Sequence, residues 1–69
     1  MQPYQERVVE EKRQLDEKTK RLEAFMGGDI FPTLPKDEQE RMKEQRAAMT
    51  RYSDILGRRI AAFKPDRAP

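Results

Sequence analysis

"MTRYSDILGRRIAAFKP", residues 49–65, decides the fold. Read at helical spacing, Met49, Leu56 and Phe63 fall seven residues apart, Tyr52 takes the intervening position, Ile60 lies beside it, and Ile55 and Ala62 widen the stripe. Met42 and Ala48 carry the same pattern upstream, so one amphipathic helix is predicted from about residue 35 to 63. Pro35 suits its first turn, and Asp37, Glu38 and Glu40 complement the positive helix N-terminus. Lys64-Pro65 ends it with a basic residue at the negative terminus. Residues 65–69 are then a flexible C-terminal tail.

Two features of this stretch ask for more than a stripe. Gly57 in mid-helix costs up to about 1 kcal/mol relative to alanine, and Ser53, Gly57 and Ala61 make an edge of small residues at i, i+4 and i+8. Something must approach that edge closely: a neighbouring helix, or a ligand pressed onto backbone. Arg58 and Arg59 add to the basic content of Arg46 and Arg51, and Arg51 and Arg58 share a face that Lys64 or Arg67 would extend. Such a strip is either a solvated face or an anion site, since the planar fork of arginine suits phosphate and Tyr52 offers a ring for stacking.

Outward from there, residues 4–26, "YQERVVEEKRQLDEKTKRLEAFM", contain no Gly or Pro and are rich in straight-chain helix formers. Val8, Leu15 and Leu22 recur every seven residues, with Tyr4 and Phe25 on the same face. Asp16 with Lys20, and Glu17 with Arg21, are acid-before-base pairs at i,i+4. The segment between the helices, "GGDIFPTLP", stops the first helix: Gly27 suits a left-handed closing position and two prolines follow. Ile30, Phe31 and Leu34 make this connection apolar, so it is expected to fold back over the hairpin end or to meet a neighbouring subunit.

The fold class is therefore all-α: one domain over residues 1–64, with helices at about 4–26 and 35–63 joined by a loop at 27–34 and packed as an antiparallel hairpin. A chain of 69 residues struggles to bury enough surface to stay folded alone. With no cysteine and no histidine, disulfides and common zinc sites cannot supply the difference. Val9, Met26, Ala48, Ile55, Ile60 and Ala62 stay uncovered in a lone hairpin, so a homo-oligomeric helical bundle, dimeric at minimum, is expected.

Composition narrows the function classes. Charged residues are 41% of the chain and hydrophobic ones 35%, with no apolar run of the roughly 20 residues a membrane span needs. Met1 runs directly into polar "QPYQERVVEEKRQ", so an intracellular location is expected. Net charge is only +2, but residues 1–45 hold 9 Lys+Arg against 11 Asp+Glu, and residues 46–69 hold 6 against 2. Basic at one end only, the chain is poorly suited to duplex nucleic acid, which needs many phosphate contacts. Catalysis is disfavoured: there is no His or Cys, no clustered ligand set and no Gly-rich phosphate loop, and no cofactor or metal is expected.

Helix 1 supplies further candidates. Its seam carries Glu11, Lys12 and Lys18, which either snorkel or pair across subunits, or, in the case of Lys18, line an interfacial pocket and take a phosphate as a point charge. Tyr4, after Pro3 at the helix start, is either the first core residue or a ring placed to stack on a base where helix N–H groups favour anions.

Residues 3–63 resemble short proteins encoded by bacteriophages and prophages. The resemblance is carried by Pro3-Tyr4-Gln5, Leu34-Pro35 and the block "MTRYSDILGRRIAAF" at 49–63. Oligomerising hairpins of this kind are similar to phage anti-defence sponges, which sequester the cyclic nucleotide signals of CBASS and related bacterial immune systems. That similarity implies a symmetric oligomer in the cytoplasm of the infected bacterial host. It would hold cyclic di- or trinucleotides uncleaved between subunits, through an aromatic residue near the N-terminus and basic residues. Tyr4 and Lys18 match that arrangement. Arg7, Arg51, Tyr52, Arg58 and Arg59 join them as candidate ligand contacts on chemistry alone. The competing expectation is a phage accessory hairpin that binds a host protein through its stripe flanks and apolar loop.

Overall fold

The computed structural model describes residues 1–63. The proposed helix stop at Lys64-Pro65, the tail at 65–69, and Lys64 and Arg67 as extensions of the arginine strip lie outside the described residues. The element order is α1 (Pro3–Met26), a single 3-10 turn (Phe31–Thr33) and α2 (Lys36–Ala61).

Helix α1 starts where proline costs nothing, since Pro3 stands in the first turn and its missing N–H would be unpaired there anyway. The Gln5 side chain turns back, and its Oε1 accepts the Gln2 N–H at 2.9 Å. This contact explains why Gln5 is the one buried polar residue of the described chain, 6% exposed. At the other end Gly27 has φ −86° and ψ −1°, a right-handed conformation. The left-handed closure expected there does not form. Instead the Gly27 N–H reaches the Glu23 carbonyl at 3.0 Å, and the Gly28 N–H tightens onto the Phe25 carbonyl at 3.1 Å. A Cβ at Gly27 would meet nothing closer than 3.6 Å, so neither φ nor space demands glycine at that position.

The connection folds back on its own hairpin. Thr33 N–H and Leu34 N–H bond to the Ile30 and Phe31 carbonyls, and the Thr33 hydroxyl also donates to Ile30. That turn drives the Phe31 ring inward to 9% exposure while Ile30 stays 60% exposed. Gln39 donates to the Leu34 carbonyl at 2.8 Å and ties the loop to the first turn of α2. Pro35 is the N-cap, and Asp37 and Glu38 stand in the first turn. The last helical residue is Ala61, two short of Phe63, because the Phe63 N–H bonds to the Ile60 carbonyl in a tightened turn. That turn holds the Phe63 ring edge-on to Tyr4, centroids 5.8 Å apart at 75°.

Tyr4 against Phe63, Lys12 against Ser53 and Glu23 against Arg46 define one antiparallel register along the hairpin. The heptads face each other as their spacing predicts, but burial is concentrated. Val8 at 6% and Leu56 at 0% form the inner core near the open end, and Phe31 seals the loop end. Leu15, Leu22, Met42, Met49, Ile55 and Ile60 are only half-buried, and Ala48 and Ala62 are exposed. Among the described residues no helix is long and apolar enough to cross a membrane.

With so few fully buried side chains, Leu56 carries a large share of the fold. Truncating it in Leu56→Ala is expected to cost about 2 to 5 kcal/mol. In a chain this small that should abolish or sharply lower the thermal transition followed by circular dichroism at 222 nm.

Candidate functional site

The most organised chemistry lies midway along the hairpin. Lys12 Nζ donates to Asp16 Oδ2 at 2.8 Å and to Ser53 Oγ at 3.1 Å, and the Ser53 hydroxyl donates to Asp16 Oδ1. The three side chains close a ring of hydrogen bonds across the helix interface. Gly57 gives it room. A Cβ there would lie 3.3 Å from Lys12 Cε, so the lysine stem passes close over α2 at this point. The close approach that Gly57 implies is therefore made by a side chain of the same chain's other helix. Ser53 and Ala61 line the same edge.

This cluster also corrects the expected ion pairs. Asp16 pairs with Lys12 rather than Lys20, and Glu17 with Arg13 rather than Arg21. The reason is geometric: Asp16 turned towards Lys12 gains the Ser53 hydroxyl as well, and Arg13 bridges Glu10 and Glu17 on the outer face. Lys12 and, secondarily, Ser53 hold the Asp16 carboxyl below the usual carboxylate range. Arg13, with help from Gln14, pulls Glu10 down to about 2.

Beside the cluster runs a shallow groove. One depression of about 420 Å³ is lined by Lys12, Ser53, Gly57, Arg58 and Ala61, among others, and another of about 600 Å³ by Glu23, Arg46, Ala47, Thr50, Arg51 and Asp54. Arg51 and Arg58 thus border the same side of the hairpin, with Arg58 Nε 3.3 Å from Asp54. Tyr52 points to the other side, 43% exposed, where its phenol donates to Glu11.

The remaining candidates are spread out. The Tyr4 ring is half exposed at the open end. Arg7 is exposed one turn along, and Arg59 is exposed in the last turn of α2, so the register brings both to that end. Lys18 is exposed in the middle of α1. It follows Tyr4 by 14 residues on a continuous helix, an axial separation of about 21 Å at 1.5 Å per residue. One hairpin therefore brings Tyr4, Arg7 and Arg59 towards one end and Arg51 and Arg58 to one groove, but it does not bring Tyr4 and Lys18 to a common small ligand. The Lys12, Asp16 and Ser53 ring was missed as a unit. The available signal was a lysine in an apolar seam opposite a Ser-x-x-x-Gly edge, which becomes readable only once the register is known.

Comparison with known proteins adds the family. The family model of Sequestin matches residues 2–62, and the chain belongs to the Sequestin family. It is also 41% identical over 64 residues to a protein of Enterobacteria phage T4 described as an uncharacterized 7.5 kDa protein in the denB-rIIB intergenic region. That match spans 93% of this chain and all of the T4 protein. No solved structure matches the chain. The resemblance to short phage-encoded helical proteins stands on both matches.

The lowered Asp16 carboxyl has a pH signature. A carboxylate held below its unfolded value near 3.9 adds stability that is present above that pH and is lost as pH falls towards its lower folded value. Thermal melts should therefore weaken below about pH 4. Asp16→Asn should be less stable at neutral pH and show a flatter acid limb, the remaining slope coming from outer pairs such as Glu10 with Arg13.

Proposed function

We propose that this Sequestin-family protein sequesters a cyclic di- or trinucleotide without cleaving it, in pockets formed where copies of the hairpin meet. The observation that carries the reading is the placement of Tyr4 and Lys18. Both are open to solvent, one an aromatic ring at a helix N-terminus and the other an exposed cation, about 21 Å apart on one rigid helix. A second copy running the other way brings one chain's Tyr4 towards the other chain's Lys18. A base then stacks on the ring while a phosphate meets the ammonium group.

The family name supports holding rather than converting a ligand, and the phage relative supports action inside an infected bacterium. A chain with neither His nor Cys suits affinity without turnover. Assembly also answers the thin core, since Val9, at 38% exposed, and the half-buried Ile55 and Ile60 gain cover only from another chain. A second reading, a hairpin that docks on a host protein, is favoured by the loop end, where Ile30 and Phe25 stay 60% and 38% exposed.

Native mass spectrometry of the protein mixed with a panel of cyclic di- and trinucleotides tests the proposal. A discrete oligomer retaining one nucleotide per equivalent interface is expected, with Tyr4→Ala and Lys18→Ala each weakening retention about tenfold or more. If both variants keep wild-type affinity, or no nucleotide is retained, the host-protein reading takes its place.

A further inference from the structure

The face of α2 turned away from α1 has a repeat of its own. Asp37, Glu44, Arg51 and Arg58 lie seven apart, each two positions after the core row that includes Met42, Met49 and Leu56, and so about 200° round the helix. All four are exposed. Their order is acid, acid, base, base. The first half of α2 carries Asp37, Glu38, Glu40 and Glu44 beside Lys36, Arg41 and Lys43, whereas residues 46–61 carry four arginines and a single acid, Asp54.

This charge order is antisymmetric about the midpoint between Ala47 and Ala48. Reflection through that point sends Glu44 to Arg51, Arg41 to Asp54 and Asp37 to Arg58, and every one of these pairs is opposite in sign. Lys36 and Arg59, the like-charged pair, fall at opposite edges of the face. A surface that is complementary to its own reversed image is what an isologous two-fold contact requires. At the centre, Ala47 and Ala48 are both small and exposed, which lets two helix backbones approach closely. The depression lined by Ala47, Thr50, Arg51 and Asp54 lies beside the same point. Ion pairing within the chain leaves Asp37, Glu44 and Arg51 unused among the described residues.

We infer that α2 packs antiparallel against α2 of a second copy, with the two-fold axis passing between Ala47 and Ala48 and Glu44 of each chain paired with Arg51 of the other. The contact rests on the self-association in the preceding reading and lies on α2, so the meeting of Tyr4 with Lys18 in that reading needs a separate interface along α1. A parallel arrangement would set Glu44 against Glu44 and Arg51 against Arg51. The charge order therefore selects orientation as well as partner.

Sedimentation velocity on the full chain without nucleotide tests this contact. The wild type should self-associate, and more weakly at high salt. Glu44→Arg and Arg51→Glu each place like charges across the contact twice per dimer and should weaken association about tenfold or more. The combined Glu44→Arg, Arg51→Glu chain restores complementarity and should return to near wild-type association. Circular dichroism should show all three variants equally helical, because both positions are exposed. The inference is overturned if single reversals leave association unchanged, if the combined variant stays as weak as the singles, or if the wild type is monomeric. Rescue by the double swap in an assembly that retains no cyclic nucleotide would leave this contact standing while removing the proposed ligand.

Discussion

The hairpin depends on a lysine that crosses a helix. Two amphipathic helices with heptad stripes can slide by one turn and still bury apolar surface, so hydrophobic spacing alone leaves register loosely specified. Lys12 removes that freedom. Its stem passes over Gly57, and its ammonium group and the Asp16 carboxylate both reach Ser53 on α2, which ties α1 and α2 in the observed alignment. The remaining contacts follow from that alignment: Tyr4 meets Phe63, Val8 and Leu56 share the inner core, and Glu23 reaches Arg46 at 3.7 Å. A polar residue in an apolar seam costs stability and gains specificity. Here the cost is limited because no described buried side-chain polar atom lacks a partner.

The same economy explains why the molecule has so little interior. Val8, Leu56 and Phe31 are its buried apolar residues among those described, and most of the stripe is only half covered. The charge on the outer faces does little for the fold, because exposed pairs such as Arg13 with Glu10 and Glu17 are screened by water. What those charges supply is pattern. The outer face of α2 separates its signs along the helix axis, so the surface carries an orientation that the core does not.

Much of the fold was legible in the residues. Heptads at Val8, Leu15 and Leu22, and at Met42, Met49 and Leu56, marked two helices facing one another, and Ile30, Phe31 and Leu34 marked a loop that would fold back or meet a second subunit, of which Phe31 turns inward and Ile30 stays exposed. Gly57 announced a close approach without naming the visitor, because one dimension of sequence cannot say which residue of a distant helix lies opposite. Asp16 and Glu17 were assigned the wrong lysine and arginine because i,i+4 pairs exist in both directions: the long-range hydroxyl of Ser53 turned Asp16 towards Lys12, and Arg13 bridges Glu17 to Glu10. Gly27 suggested a left-handed closure that the chain does not use. The site was least legible. Tyr4 and Lys18 are far apart on one helix, and the convergence proposed for them would belong to an assembly, which no single chain encodes in its own spacing.

The connection of the helices by a short folded loop also sets the order in which the molecule closes. Contacts next to Phe31 span few residues, whereas the Lys12 to Ser53 bond joins positions 41 apart and the Tyr4 to Phe63 contact joins positions farther apart still. Loop-closure entropy therefore favours a zipper that starts at Phe31 and ends at the two chain termini. Past the Val8 and Leu56 clamp, the last turns include the edge-on ring pair of Tyr4 and Phe63, and helix ends fray more readily than helix middles. The Tyr4 ring thus sits on the segment that closes last, while the Lys12 contacts hold the middle of the hairpin in register.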